Sequence, residues 1–283
     1  MDRARFRVGC DLNYKVAGFS TFIFNVGVVN NSFQRVLNEQ FMTEPGYPRE
    51  ESLSPLEEKR HHSFSAAPGT LRVRYEATVE LTHHIRNGES VLESTPGTIP
   101  PDVVPYLYPS RYCESDKLVR LAQHDFGELR PGFSRVTGVC NWIHDNVEYL
   151  RGSTNPLTSA YDTATERAGV CRDFAHLAIA FCRALSIPAR FVAGYAYGLQ
   201  PPDFHAYFEA YLGGAWYIFD ATRLAPQTGL IRVGTGRDAA DTSFATIFGP
   251  ATFSSMKITM ELVDGSPPDY TTEAISTSVL RES

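Results

Sequence analysis

Apolar and polar side chains alternate with a period of two through most of the first 93 residues. The clearest runs, over residues 6–14, 22–28 and 71–81, place an apolar side chain at nearly every second position. This alternation is typical of antiparallel strands that bury one face and expose the other. No convincing helical pattern interrupts these strands. We therefore predict an N-terminal antiparallel β-sandwich over residues 1–93.

Residues 94–110 separate this region from a second, mixed one. The segment is rich in proline, which lacks a backbone donor and resists helix interiors, and this composition indicates a connector. Beyond it, helical spacing at residues 115–124 and 136–147 is followed by further helical and strand patterns. We predict an α+β core over residues 111–264 and a loose tail, rich in Pro, Ser and Thr, over residues 265–283.

A long helical pattern begins at Cys171. A turn of small residues ends at Gly169, and from Phe174 onward the apolar positions recur with the spacing of a buried helix. At the start of a helix, unpaired backbone N–H groups and the positive end of the dipole favour a thiolate over a thiol. We therefore interpret Cys171 as a nucleophile, and its own backbone N–H as a donor to an oxyanion.

A predicted hairpin supplies the partners that such a nucleophile needs. Two strand patterns flank Gly213-Gly214, a dipeptide suited to a two-residue turn. Such a turn pairs Leu212 with Ala215, and it then places His205 and Asp220 on one face as diagonal neighbours within side-chain reach. The opposite face of the hairpin is mostly apolar and suits a core.

The spacing therefore predicts a Cys-His-Asp triad. Asp220 would orient His205 and stabilise its imidazolium form, and packing of the hairpin against the helix would bring His205 to Cys171.

Four segments carry a resemblance to a known family. They read Gly169-Val-Cys-Arg-Asp-Phe-Ala175, Ile187-Pro-Ala-Arg-Phe-Val-Ala-Gly-Tyr195, His205-Ala-Tyr-Phe-Glu209 and Gly214-Ala-Trp-Tyr-Ile-Phe-Asp220. In this order they resemble the core of the transglutaminase-like superfamily, and within it the bacterial candidate cysteine proteases that carry an extra N-terminal β domain. The later segment 236–241 resembles the same branch. The resemblance implies a papain-like fold for the core.

The family pattern maps its catalytic residues onto Cys171, His205 and Asp220, the same three residues that spacing selects. The sequence departs from the family at Tyr207, where relatives often have Trp. This change leaves the triad untouched.

Other roles for these residues are less favoured. One thiolate, one imidazole and one carboxylate could hold zinc with an open position, but the chain has neither an HExxH motif nor paired CxxC motifs. A calcium loop of the DxDxDG type is also missing, so we expect no metal and no other cofactor. Tyr195 and Tyr207 are predicted to line a substrate groove, although packing is the commoner role of strand aromatics. Trp142 lies inside a helical pattern, and we expect it to pack in the core.

Composition narrows the class of protein. Hydrophobic residues make up 43% and charged residues 20% of the chain, which is ordinary for a soluble globular protein. The net charge of −6 and the lack of a long basic run argue against nucleic acid or membrane surfaces as partners. No apolar segment suits a signal peptide or a membrane span. Five scattered cysteines suit free thiols in a reducing, cytoplasmic compartment.

These observations predict a thiol-dependent enzyme that acts on amide bonds of proteins or peptides. Water as the second nucleophile would make it a protease or amidase, and a primary amine would make it a transglutaminase. The triad does not distinguish these reactions, and the resemblance favours hydrolysis. The alternative of another class is a binding module that keeps the fold without turnover. The N-terminal domain could bind a partner, restrict the cleft or shield it.

Overall fold

The structure, a computed structural model, describes residues 3–54 and 58–278. Its helices are α1 (Ser115–Phe126), α2 (Phe133–Asn146), α3 (Ala160–Glu166) and α4 (Cys171–Ala184). Its strands are β1 (Ala4–Val16), β2 (Ser20–Phe24), β3 (Gln34–Glu44), β4 (Glu50–Ser54), β5 (Lys59–Ala66), β6 (Gly69–Leu81), β7 (His84–Arg86), β8 (Glu148–Tyr149), β9 (Ala168–Gly169), β10 (Ala189–Ala196), β11 (His205–Leu212), β12 (Ala215–Phe219), β13 (Leu230–Gly236), β14 (Ala245–Phe248), β15 (Ala251–Asp264) and β16 (Ala274–Ser276).

The N-terminal region is an antiparallel β-sandwich, as the alternation predicted. One sheet has the strand order β15-β1-β6-β3, and the other has the order β14-β2-β5-β4. Side chains at alternating positions of β1, such as Phe6 and Val8, are fully buried between the sheets with Phe22 and Phe24 of β2. The period-two pattern therefore marks the buried face correctly.

Two strands of the sandwich come from the far end of the chain. The whole of β15 pairs with β1, and β14 pairs with β2. The predicted boundary of the core at residue 264 is therefore wrong, because residues 245–264 belong to the sandwich. Strand alternation shows which face of a strand is buried, but it does not show which distant strand is its neighbour.

The predicted loose tail is also corrected for the part that the structure describes. Ala274 and Ile275 are fully buried, and β16 lies between β12 and β7 in the six-stranded sheet of the core. Pairing with a strand on each side outweighs the polar composition of the segment. Residues 279–283 of the predicted tail lie outside the described residues.

The six-stranded sheet of the core supports the candidate site. Its order is β13-β10-β11-β12-β16-β7, with every neighbouring pair antiparallel. The predicted register is confirmed, since Leu212 pairs with Ala215 and Phe208 with Phe219. The apolar face of this hairpin packs in one core with the buried side of α4, as expected. Together with the helices around α4, this sheet forms the predicted α+β core.

The connector, residues 94–110, packs closely on the six-stranded sheet. It contains short 3-10 turns at Pro96–Thr98 and Val104–Leu107, and Tyr106 packs edge-on against Trp216 at 5.3 Å between ring centroids. Buried Arg183 of α4 donates hydrogen bonds to the carbonyl of Tyr108 and to Ser110 Oγ, both at 3.0 Å. The connector therefore has a fixed path from the sandwich to the core.

Buried charges join the two regions. Glu209 of β11 pairs with Arg190 of the neighbouring β10 and with Arg232 of β13, and Arg232 also pairs with Glu58 of the sandwich. Burial acts to raise the pKa of Glu58, but the charges of Arg232 and Arg190 lower it to about 2. The side chain of Gln34 adds two hydrogen bonds to the backbone of Arg232. These contacts tie the sandwich to β13.

Candidate active site

Cys171 is the first residue of α4, as the helical pattern predicted. The carboxylate of Asp173 accepts the backbone N–H of Val170 at 3.0 Å, which closes the first turn. A side chain at Gly169 would lie 2.8 Å from Cβ of Asp173, so a small residue is needed there. The backbone N–H of Asp173 donates to the carbonyl of Val170 at 2.9 Å, so the N–H groups of Cys171 and Arg172 are the ones at the start of α4 that lack an acceptor within the helix.

Cys171 differs from the other cysteines in its exposure. It is partly exposed, whereas Cys10, Cys113, Cys140 and Cys182 are buried. Burial raises the pKa of the Cys10 and Cys113 thiols to about 12, and it raises the pKa values of the other two buried thiols as well. These four thiols are therefore poor nucleophiles.

His205 and Asp220 form a buried pair on one face of the hairpin, as the register predicted. His205 Nε2 lies 2.7 Å from Asp220 Oδ2, and the two side chains are 0% and 2% exposed. The other carboxylate oxygen, Oδ1, accepts the backbone N–H of Thr222 at 2.9 Å and its hydroxyl at 2.8 Å. These bonds hold the carboxylate so that it orients the imidazole.

The pair favours a protonated imidazole. Burial acts to lower the pKa of His205, but the charge and hydrogen bond of Asp220, followed by those of Cys171, raise it to about 10. Because Nε2 is engaged by Asp220, Nδ1 is the ring nitrogen left for the cysteine. Chemically, this arrangement could serve as a nucleophile, a proton donor and an orienting group.

Cys171 and His205 line one cavity of about 260 Å³. Asp220 lies on the other side of the imidazole, where it lines a second cavity of about 410 Å³ with Cys140 and Phe219. The direct bond between His205 and Asp220 favours a triad over a zinc shell. Within residues 3–54 and 58–278, no group of three or more His, Cys, Asp or Glu side chains is suited to a metal ion.

Tyr149 is a site residue that sequence reasoning missed. It belongs to β8, which pairs in parallel with β9, so that Tyr149 lies beside Gly169 just before α4. Burial and the charge of the Cys171 thiol raise the pKa of Tyr149 to about 12, and its hydroxyl also interacts with the backbone of Cys171. A strand of two residues leaves no periodic signal in the sequence that could have revealed this contact.

The two predicted groove tyrosines lie elsewhere. Tyr195 is fully buried in the core shared with the sandwich, and its hydroxyl donates to the carbonyl of Val26 at 2.9 Å. Tyr207 is 1% exposed; its ring stacks on that of His205 at 6.4 Å, and its hydroxyl interacts with Arg232. The prediction that they line the groove is wrong, because the sandwich and the buried charges cover these faces of the strands.

Trp142 packs as expected. Its indole lies edge-on to Phe126 and Phe181, with ring centroids 5.9 and 5.4 Å away. The guanidinium of Arg167 lies over the indole at 4.4 Å. These contacts account for its place in the helical pattern.

Comparisons with known proteins agree with this fold. Residues 120–221 match the model of the transglutaminase-like superfamily, and residues 4–98 match that of the bacterial transglutaminase N-terminal domain. A candidate cysteine protease from Cytophaga hutchinsonii, known from its crystal structure, shares 44% sequence identity with this chain. The two structures superpose with a TM-score of 0.93, and the match covers 98% of each chain. The chain therefore belongs to the transglutaminase-like superfamily and carries the bacterial N-terminal domain.

Mycobacterial relatives are more distant. ML0607 of Mycobacterium leprae is 32% identical over 144 residues, which are 48% of this chain and 51% of that protein. Rv2569c of Mycobacterium tuberculosis is 31% identical over 143 residues, or 45% of each chain. The match therefore spans about half the length of these curated relatives. In the described ranges, no helix combines the length and apolar character needed to cross a membrane.

Proposed function

We propose that this protein is a thiol-dependent acyl-transfer enzyme that cleaves amide or peptide bonds, with Cys171, His205 and Asp220 as its triad. The observation that carries the proposal is the placement of Cys171 at a helix N-terminus beside an imidazole that a buried carboxylate holds at 2.7 Å. Membership of the transglutaminase-like superfamily supports an enzyme of this general kind. The similar Cytophaga protein, described as a candidate cysteine protease, supports hydrolysis.

The first half-reaction uses the protonated His205. The thiolate of Cys171 attacks the amide carbonyl carbon, and the carbonyl oxygen becomes an oxyanion. The C–N bond then breaks while Nδ1–H of His205 gives its proton to the leaving amine, which leaves a thioester on Cys171. Asp220 stabilises the imidazolium before this step and keeps Nδ1 directed to the reaction throughout.

The second half-reaction reverses these roles. Neutral His205 takes a proton from water, and the hydroxide attacks the thioester carbonyl. The C–S bond breaks, the acid leaves, and the thiolate and imidazolium are restored. A primary amine in place of water would give a new amide, which is the transglutaminase reaction. Protein or peptide amides are the proposed substrates in either case.

Two groups are proposed to stabilise the oxyanion. One is the backbone N–H of Cys171, which points out of the helix N-terminus. The other is the hydroxyl of Tyr149, which interacts with the same backbone and thiol. The substrate oxygen would replace the thiol as the acceptor of this hydroxyl, and it would replace the hydroxyl oxygen as the acceptor of the Cys171 N–H.

Iodoacetamide alkylation, resolved by peptide mass spectrometry, tests the nucleophile. In the folded protein we expect Cys171 to react rapidly below pH 7, and to lose this reactivity in His205→Ala. The four buried cysteines serve as internal controls. Reaction of Cys171 only under alkaline conditions, or no reaction while folded, would contradict the proposed thiolate–imidazolium pair.

Turnover is tested on dimethylated casein, with and without a fluorescent primary amine. We expect new amino termini in the absence of the amine, and their loss in Cys171→Ala at unchanged thermal stability. Covalent incorporation of the amine would identify a transglutaminase instead. No product under either condition, despite a reactive Cys171, would favour the binding module.

The cytoplasmic location that the scattered cysteines suggest stays a prediction.

A further inference from the structure

We infer that the cavity beside Cys171 binds an uncharged, aromatic or large aliphatic side chain next to the reacting carbonyl, and that the N-terminal sandwich holds one wall of this cavity. The inference rests on the proposed function, because it assigns the substrate class of the same site. It also selects cleft restriction among the three roles that the sequence leaves open for the N-terminal domain.

The walls of the cavity are aromatic. Phe191, Phe204, Phe244 and Tyr112 line it together with the two reactive side chains. Its volume is about 260 Å³. An apolar cavity of about 150 Å³ already binds benzene, so this one has room for a whole aromatic side chain. Apolar walls of this size favour burial of a large apolar group.

Charge in the cavity disfavours ionised side chains. Arg172 is the one charged lining residue, among those the structure describes, outside the proposed triad. Its guanidinium donates to Asp173 Oδ1 at 2.8 Å and to the carbonyl of Asn155 at 2.9 Å. A basic substrate side chain would lose water without meeting a carboxylate, and it would be repelled by Arg172. An acidic side chain would have to compete with Asp173.

The sandwich positions the wall formed by residues 239–244. The ring of Phe244 stacks on Phe204 at 3.9 Å between centroids. The carbonyl of Phe244 accepts the backbone N–H of Asn25 at 2.9 Å, and Lys59 donates to the carbonyl of Asp241. Immediately after Phe244, β14 pairs with β2. The wall is therefore attached to the N-terminal domain both before and after Phe244 in the sequence.

The opposite end of the wall is attached to the core. Nε2 of buried His176 on α4 accepts the backbone N–H of Ala239 at 3.1 Å. The His176 ring also stacks on Tyr112, with centroids 5.1 Å apart. Both domains thus fix the shape of the cavity, and substrate selection depends on their contact.

Chloromethyl ketones of N-acetyl amino acids test the inference, because they place a chosen side chain beside the carbonyl that Cys171 attacks. We expect the Phe and Leu probes to alkylate Cys171 at least ten times faster than the Lys and Glu probes. Phe244→Ala should slow the Phe probe roughly tenfold, the effect of removing apolar contacts in a pocket. Iodoacetamide, which leaves the cavity empty, should react with the variant at the wild-type rate.

Phe248→Ala is the matched control, since Phe248 lies on β14 and is 62% exposed outside the cavity. It should leave every probe rate unchanged. Ser243→Trp, at an exposed lining position, should block the Phe probe without disturbing the core. Equal rates for all four probes would overturn the inference, and a preference for the Glu probe would instead assign the cavity to Arg172.

A binding measurement separates this inference from the proposed function. In Cys171→Ala no reaction is possible, yet the cavity remains. Isothermal calorimetry should detect N-acetyl-phenylalanine amide binding more tightly than N-acetyl-lysine amide, by a factor of ten or more. If wild-type Cys171 proves unreactive while this preference holds, only the proposed function fails. Equal affinities of the two amides would refute the inference, whatever the reactivity of Cys171.

Discussion

Replacement of Asp220 by Asn tests the physical link between the carboxylate and the reactivity of Cys171. The substitution keeps the shape of the side chain and removes the charge that faces His205 Nε2 at 2.7 Å. The pKa of His205 is raised from 6.5 to about 10. At about 1.4 kcal/mol per pH unit, this difference corresponds to roughly 5 kcal/mol in favour of the imidazolium. Asp220 is the largest source of that stabilisation.

Without the charge, burial dominates, and the pKa of His205 should fall below 6.5. The imidazole of Asp220→Asn would then be neutral at pH 7. The amide would also donate to Nε2, which places the ring proton on Nδ1 and leaves no acceptor for the cysteine. Loss of the orienting aspartate lowers turnover in comparable hydrolase triads by roughly 10⁴-fold.

The assay is the rate of iodoacetamide alkylation of Cys171 between pH 5.5 and 8.5. We expect the wild-type rate to change little over this range. In Asp220→Asn the rate should fall at least tenfold at pH 6.5 and recover as the pH rises. Asp145→Asn, at an exposed position on α2, is the matched control and should behave as wild type. A wild-type profile in Asp220→Asn would refute the assigned role of Asp220.

Stability provides an independent readout of the same pair. Because the pKa of His205 is higher in the folded state than its ordinary value, the pair stabilises the fold fully below about pH 6.5. This contribution is lost as the pH rises through about 10. Urea denaturation should therefore show a gap between wild type and Asp220→Asn at pH 6 that narrows above pH 10. A gap that does not depend on pH would contradict the ionised pair.

Three further changes test other contacts. Glu209→Gln should lower the free energy of urea unfolding by about 3–5 kcal/mol, because it leaves buried Arg190 without its carboxylate and Arg232 with Glu58 alone, while exposed Glu261→Gln should cost under about 0.5 kcal/mol. Arg183→Met should cost roughly 3 kcal/mol in the same assay, because it removes the donor to the buried carbonyl of Ala189 and to the carbonyls of Tyr108 and Arg237. Tyr149→Phe should lower kcat by about 10²-fold at unchanged KM, if its hydroxyl stabilises the oxyanion, and steady-state kinetics on a cleaved peptide would show this.

Local sequence patterns were sufficient to predict that Cys171 starts a helix and that His205 and Asp220 share one face of a hairpin. The helical spacing after Phe174 placed Cys171 at the first turn of α4, and the Gly213-Gly214 turn determined the hairpin register. Once that register is set, the period-two geometry of strands puts His205 and Asp220 on the same face. These are short-range constraints, in which steric preference and a tight turn leave few alternatives.

The pairing of strands that lie far apart in the sequence could not be predicted from such local patterns. The alternation in β15 predicts a strand, but its pairing with β1 depends on packing between segments more than 200 residues apart. The same holds for β16, whose polar surroundings suggested a loose tail. The place beside an open strand is filled by whichever segment completes the sheet, and composition alone does not identify that segment.

The surroundings of the proposed triad depended on tertiary structure for the same reason. Tyr195 is an aromatic strand residue that the sequence assigns to the groove, yet the sandwich buries it, whereas Tyr149 has no sequence signal and lies against Cys171. The sequence by itself determined the nucleophile candidate, its histidine and the aspartate that holds it, because neighbouring residues on one helix and one hairpin set those positions. Only the packing of the two domains decided which side chains form the cavity around them.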